Sequence, residues 1–413
     1  MYEIQPKIFT LSNGIRVVYL HAPSQVAHLG ITVLGGSRFE KEGEEGLAHF
    51  LEHCIFKGTK KRKTYHVLSR LDSVGGELNA FTTKEEICVY ASFTKEHIRR
   101  ASELLADITL HSNFPLKEIN KEKEIILDEI NSYLDSTSDK IFDDFEAHLF
   151  KGHALGNNIL GTKERVQNFT QANLVDYLGR FFTAENMVIS FVGDLSANRL
   201  LKMLEEDFKT CKSGVLTQAI DSFESLKPFK IRSKEATYQV HGIVGGIAPS
   251  YKDEARRGMT LLTNILGGPA LNSRLTLSIR EKYGYSYNVE ANYTSYADTG
   301  FWSVYLGTDQ KYIDKSIALI YKELKLLRTK KMGSLQLNRA KEQLKGHLAL
   351  GLDSNAGLML GLGKSLLLFN QIDTIEEIYN GIDSLNTSEL LEIANTYFSE
   401  ENCSELIFDL LSD

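Results

Sequence analysis

Apolar residues recur in two rhythms along this chain. In GIRVVYL (residues 14–20), AHLGITVLGG (27–36), EICVYASF (86–93) and MVISFVGDL (187–195) they form short runs closed by glycine or charged residues, the mark of strands with a buried face. In HIRRASELLADITLHS (97–112) and KEINKEKEIILDEINSYLDS (117–136) they return every three or four residues, which places them on one side of a helix. Strand pairs and helix pairs follow one another without a regular strand–helix–strand beat. The pattern predicts an α+β fold in which helices pack on one face of a mostly antiparallel sheet.

The same pattern occurs twice. ITVLGGSRFEKEGEEGLAHFLEHCIF (31–56) and GIVGGIAPSYKDEARRGMTLLTNILGG (242–268) both read as an apolar strand, a Gly-Gly turn, a charged loop and a helix opening near Gly46 or Gly258. Periodicity lapses between Thr210 and Lys230, where Ser, Gly and Pro appear. We therefore expect an N-terminal domain over 1–209, a linker over 210–230 and a C-terminal domain over 231–413 that repeats the first in degenerate form. A length of 413 residues agrees with more than one core.

Aligning Gly46 with Gly258 sets Leu261, Asn264 and Ile265 opposite His49, Glu52 and His53. A fold that needed these polar groups for packing should need them in both copies, so their confinement to the first points to chemistry. On a helix, residues four apart share a face with Cβ atoms about 5–6 Å apart, so His49 and His53 can aim at one point. Imidazole suits zinc, and Glu52 lies beside that point without having to be a ligand. A third ligand should come from another element. The helix 117–136 offers Glu122 and Glu129, two turns apart on one face, with Glu129 set between Ile126 and Ile130 where an unpaired carboxylate would be costly. Glu122 is then placed to orient one of the histidines through a ring N–H. With 11 His and 54 acidic residues, chance alone would supply about 0.04 such His-x-x-Glu-His patterns.

A net charge of −7 argues against general nucleic-acid binding, and the basic run KGTKKRK (57–63) reads as a solvated loop after a helix end. The four cysteines lie far apart with no C-x-x-C pair, which fits a reducing compartment, and Cys54 reads as a small buried hydrophobe. No apolar run is long enough to span a bilayer and the N-terminus shows no secretory pattern, so a cytoplasmic protein without membrane partners is expected.

GLAHFLEHCIFKGT, with a glutamate 76 residues after its last histidine, resembles the pitrilysin, or insulinase, family of zinc metallopeptidases. GGELNAFTTKEE resembles that family's substrate-edge strand, GHALGNNILGT its mid-domain signature and NMVISFVGDL the strand closing its first half. LNSRLTLSIREKYGYSYNV resembles the segment from which an arginine and a tyrosine reach the substrate. In size and layout the chain is similar to the short bacterial members and to the mitochondrial processing peptidase beta subunit. The resemblance implies a zinc endopeptidase with one Zn2+ per chain held by His49, His53 and Glu129. It implies Glu52 as general base on the zinc-bound water, Glu122 in support, and Asn79, Ala80, Arg280 and Tyr287 as contacts to an unfolded or short peptide. It also implies a homodimer whose four halves enclose a chamber. The alternative is a non-catalytic scaffold or partner subunit of the same fold.

Overall fold

The structure, a computed structural model, describes residues 5–214, 223 and 227–411. Most of the expected linker, 215–222 and 224–226, lies outside them. The first sheet holds six strands: β1 (Lys7–Thr10), β2 (Arg16–His21), β3 (Val26–Leu34), β4 (Glu77–Thr82), β5 (Glu86–Thr94) and β6 (Met187–Gly193), ordered β1-β2-β6-β3-β5-β4. The second holds β7 (Lys230–Glu235), β8 (Val240–Ala248), β9 (Ser286–Ser295), β10 (Gly300–Thr308) and β11 (Ser404–Leu410), ordered β7-β11-β8-β10-β9. β2 with β6 and β7 with β11 run parallel, and every other pairing is antiparallel. Leaving out β1, both sheets place their strands in the same spatial sequence: first, fifth, second, fourth, third. The internal repeat is therefore a repeat of topology.

Position in the sheet explains each strand's sequence. Central β6, MVISFVG, is buried at every position. The edge strands β4, ELNAFT, and β7, KIRSKE, carry polar residues between partly buried ones, as a strand with one free side should. The principal helical layer of each sheet lies on one face. In the first it buries Leu51, Leu71, Leu104, Ile126 and Tyr177 against Leu29, Ile31 and Val89.

A single further helix covers the opposite face of each sheet, and it comes from the other half of the sequence. Chain contacts define one compact unit of Met1–Ile130, Asn157–Ile220 and Leu350–Thr374, and a second of Asn131–Gly156, Asp221–Ala349 and Ile375–Asp413. The helix Asn355–Phe369 thus belongs with the first sheet, where Met359, Leu366 and Leu367 pack on Val18, Leu20, Val188 and Val192. The helix Thr137–Leu149 belongs with the second, where Ile141, Phe145 and Leu149 pack near Ile243, Leu406 and Phe408. These two helices occupy matching places in the repeat, each following a long helix (Leu116–Asp135 or Ser334–Gly351).

Gly245 and Gly246 differ from their expected role as a turn, because both lie inside β8. A Cβ on Gly245 would stand 2.3 Å from the Trp302 carbonyl oxygen and 2.9 Å from the Phe145 ring, so glycine is there for close packing on strand and helix. The run 57–63 also differs from a simple solvated loop. Lys57 pairs with Glu122 at 2.8 Å, and Arg62 reaches Glu103 at 2.6 Å and also Asp107. Among the described residues no helix is long and apolar enough to cross a membrane.

Candidate metal centre

The first sheet's helical layer includes Leu47–Cys54, whose apolar face (Leu47, Phe50, Leu51, Cys54) is in the core. Its first turn begins at Gly46, whose φ of 97° only glycine adopts readily, and a glycine has no side chain to cap a helix. Glu40 supplies the cap from the preceding loop. The Gly46 N–H donates to its Oε2 at 3.0 Å and the Ala48 N–H to its Oε1 at 2.8 Å. Burial pushes this carboxyl up to about 8, against the pull of the two backbone N–H groups. Nothing in the local pattern marks Glu40, since its partners depend on how the loop folds back.

One turn in, the histidines converge with a carboxylate from the long helix Leu116–Asp135. Glu129 Oε2 lies 3.8 Å from His49 Nε2 and 3.5 Å from His53 Nε2, and the donor atoms of the three residues all fall within 4.8 Å of one another. Burial, then the neighbouring His53, lowers the pKa of His49 to about 4, so its ring is held neutral with a lone pair to offer. Among the described residues no group within hydrogen-bonding reach engages its buried Nδ1. On the other ring, His53 Nδ1 sits 3.2 Å from Glu122 Oε2, which makes Nδ1 the protonated nitrogen and turns the Nε2 lone pair towards the cluster. Glu122 is buried, which opposes its ionisation. The hydrogen bond from His53 and the Lys57 ion pair outweigh that and hold its carboxyl below the ordinary range. Two imidazole nitrogens and one carboxylate oxygen are the donor set of a zinc site with a position left open. The residues present fit the metal.

Glu52 is on the same helix but outside this set. Thr82, the last residue of β4, donates its hydroxyl to Glu52 Oε2 at 2.6 Å. Burial raises the Glu52 pKa, with Thr82 and His53 opposing and Glu129 adding to the rise. The carboxylate therefore binds a proton more readily than an exposed glutamate would. Asn79 and Ala80 lie on β4, and because β4 is an edge of the sheet its outer backbone groups have no strand partner among the described residues. Cys54 is buried, burial pushes its thiol far above the usual range, and it lies outside the cluster of His49, His53 and Glu129.

The second unit carries Arg280 and Tyr287. Arg280 is on a π-helical turn, Thr276–Glu281, and Tyr287 is on β9, the edge of the second sheet. The Arg280 guanidinium lies 4.6 Å from the centre of the Tyr287 ring, and the two line a cleft of about 400 Å3. Tyr287 is 82% exposed, so it is not the strand-core aromatic its neighbours would allow.

If Glu122 fixes His53, removing its charge loosens a ligand without deleting one. Glu122→Gln should weaken zinc binding by about 10- to 100-fold, read by competition with a fluorescent chelator. Unchanged affinity would mean that the Lys57 and His53 contacts serve the fold alone.

Residues 16–163 match the family described as Insulinase (Peptidase family M16), and residues 168–344 match Peptidase M16 inactive domain. A Bacillus subtilis protein named "Uncharacterized zinc protease YmxG" is 32% identical, over 97% of this chain and 98% of its own. The mitochondrial-processing peptidase subunit beta of Dictyostelium discoideum is 28% identical, over 95% and 86%. A solved structure of a peptidase M16 inactive domain from Pseudomonas fluorescens superposes with a TM-score of 0.91 at 17% identity, covering 99% of this chain and 98% of that one, a likeness of fold. With matches of this extent, the chain belongs to the insulinase, or M16, family of peptidases, as one of its short members.

Proposed function

We propose that the protein is a zinc-dependent endopeptidase that cuts unstructured peptides laid along β4. The observation that carries this reading is the convergence of His49, His53 and Glu129 beside an unligated Glu52 that is itself hydrogen-bonded to the edge strand. The peptide pairs main chain to main chain with the outer side of β4 at Asn79 and Ala80. His49, His53 and Glu129 would hold zinc, which would supply Lewis-acid polarisation of the scissile carbonyl and a more acidic water. Glu52 accepts the proton of the attacking water and passes it to the leaving nitrogen. Thr82 holds one Glu52 oxygen and leaves the other for this transfer. Glu122 keeps His53 in the tautomer that binds. Tyr287 donates to a substrate carbonyl, and Arg280, stacked on its ring, fixes its direction. Because one chain carries both the cluster and the Arg280–Tyr287 pair, we take the active form to be a homodimer enclosing its substrate; light scattering that finds only monomer at every concentration argues against this.

A mixed pool of unstructured peptides, followed by mass spectrometry, tests the activity. The zinc-loaded protein should cut internal bonds, lose activity in chelator and regain it when zinc is returned. A zinc-loaded protein that leaves every peptide intact would instead be a scaffold or partner subunit of this fold.

A further inference from the structure

The second unit holds a cleft of about 490 Å3 beside the π-helical turn Thr276–Glu281, the helix Ile313–Thr329 and the turn leading into Ser334–Gly351. Arg274, Lys282, Lys322, Lys330 and Lys331 line it against one carboxylate, Glu323. Lys330 and Lys331 follow a helix end, where positive charge favours the dipole. Arg274 and Lys282 come from another element and have no such reason to gather there. Lys282, Lys322 and Lys330 are exposed, and none forms an ion pair among the described residues. Lys331 donates to the Ser388 hydroxyl at 2.7 Å.

Arg274 is the unusual member. Its side chain is largely buried, and its Nε has no hydrogen-bond partner among the described residues. The Glu323 carboxylate stands 3.7 Å from its Nη1, beyond hydrogen-bonding distance. Burial lowers the Arg274 pKa and raises that of Glu323, so each charge offsets only part of the other's desolvation. A guanidinium held this way costs free energy that an oxyanion, taken on two parallel N–H groups, would remove. Leu277 and Tyr283 also line the cleft and are 49% and 43% exposed. The Tyr283 ring is held in place, stacked on Tyr285 at 5.1 Å with the Lys282 ammonium 5.0 Å from its centre.

We propose that this cleft binds an organic phosphate monoester, with the phosphate on Arg274 and the neighbouring lysines and its carbon body on Leu277 and Tyr283. The charge balance selects phosphate, since one carboxylate would offset a single cation and a monoester carries close to two negative charges on one group. The apolar residues select an ester over the bare ion. The volume is that of a small-molecule site. Two sources share this chemistry, a soluble ester such as a nucleoside monophosphate and the headgroup of phosphatidic acid in a membrane. The site does not depend on the peptidase reading.

The test uses the zinc-loaded full-length protein, freed of excess metal. Calorimetry follows adenosine monophosphate, inorganic phosphate and citrate, and sedimentation follows phosphatidylcholine vesicles with and without phosphatidic acid. One of the two esters should bind about tenfold more tightly than inorganic phosphate, through the added apolar contact, and the binding should weaken as salt is raised. Binding of adenosine monophosphate upholds the site with a soluble ligand, and sedimentation only with phosphatidic acid upholds it with a lipid. Arg274→Gln and, separately, Lys282→Gln/Lys330→Gln should each weaken the ester about tenfold. The two lysines are exposed, so that variant keeps the test open if the arginine variant does not fold. Binding of neither ester overturns the site, and so does citrate binding as tightly as the esters. Ester binding unchanged in Lys282→Gln/Lys330→Gln also overturns it, because the phosphate would then be held elsewhere, as by the zinc.

Discussion

Glu52→Gln should leave zinc in place and lower kcat about a thousandfold, with KM within a factor of three of the original. The two halves of that result have separate causes. Glutamine matches glutamate in size, and its amide oxygen can still accept the Thr82 hydroxyl, so the helix and the edge strand stay joined. His49, His53 and Glu129 are untouched and keep the metal. What is lost is a basic oxygen within reach of the attacking water, and a positioned general base accounts for about 10²- to 10⁴-fold of rate. Burial makes the loss more severe here, since it raises the proton affinity of Glu52 and a neutral amide has none to replace it. Zinc content by atomic absorption, measured beside the kinetics, separates the outcomes. A variant that keeps its zinc and half its activity would place the base elsewhere. A variant that loses zinc would make Glu52 part of the ligand shell.

The convergence of His49, His53 and Glu129 was legible in the sequence because its geometry is local. His49 and His53 share a helix face by their spacing, and Glu122 and Glu129 share another, so only the meeting of two helices was left for the fold to supply. Glu122 reaching His53, and not His49, was beyond the sequence, because both rings present an N–H at similar height. The topological repeat could be read from one strand–loop–helix segment, but the exchange of the helices Thr137–Leu149 and Asn355–Phe369 between units could not. An apolar helix face records that it is buried and not by which sheet. In Asn355–Phe369 the signal was there in another form. Gly363 allows an approach in which a Cβ would stand 2.9 Å from the Thr32 hydroxyl oxygen, and Gly30 faces Met359 in the same way. Such glycines report close contact without naming the partner. The cleft at Arg274 and Lys330 was equally silent, since it forms only when the turn Thr276–Glu281 and the helix Ile313–Thr329 lie side by side.

Glu40 carries the largest expected effect on stability, through a structural route that leads to the metal. The helix bearing His49 begins with N–H groups that have no partner inside the helix, and its N-cap glycine can satisfy none of them with a side chain. Leu47 N–H finds the Glu44 carbonyl, and Glu40 takes those of Gly46 and Ala48, the residue before His49. Glu40→Ala strands two buried donors and leaves a small void, which should cost about 3 kcal/mol. For a unit of this size that is a fall of roughly 6–12 °C in its melting temperature, with zinc binding weakened in step because the first turn frays. Glu40→Gln separates charge from contact. Burial holds the Glu40 carboxyl at about 8, against 4.5 for an ordinary glutamate, so the folded chain keeps a proton that the unfolded chain releases earlier. The stability this contributes is complete at acidic pH below the ordinary value and is lost as pH rises towards 8. Denaturation of the zinc-free protein between pH 5 and 8 should therefore show the wild type losing stability relative to Glu40→Gln, whose amide does not titrate. Parallel curves would mean that the carboxyl is ionised in the folded chain throughout, with the helix dipole and the two N–H groups outweighing burial.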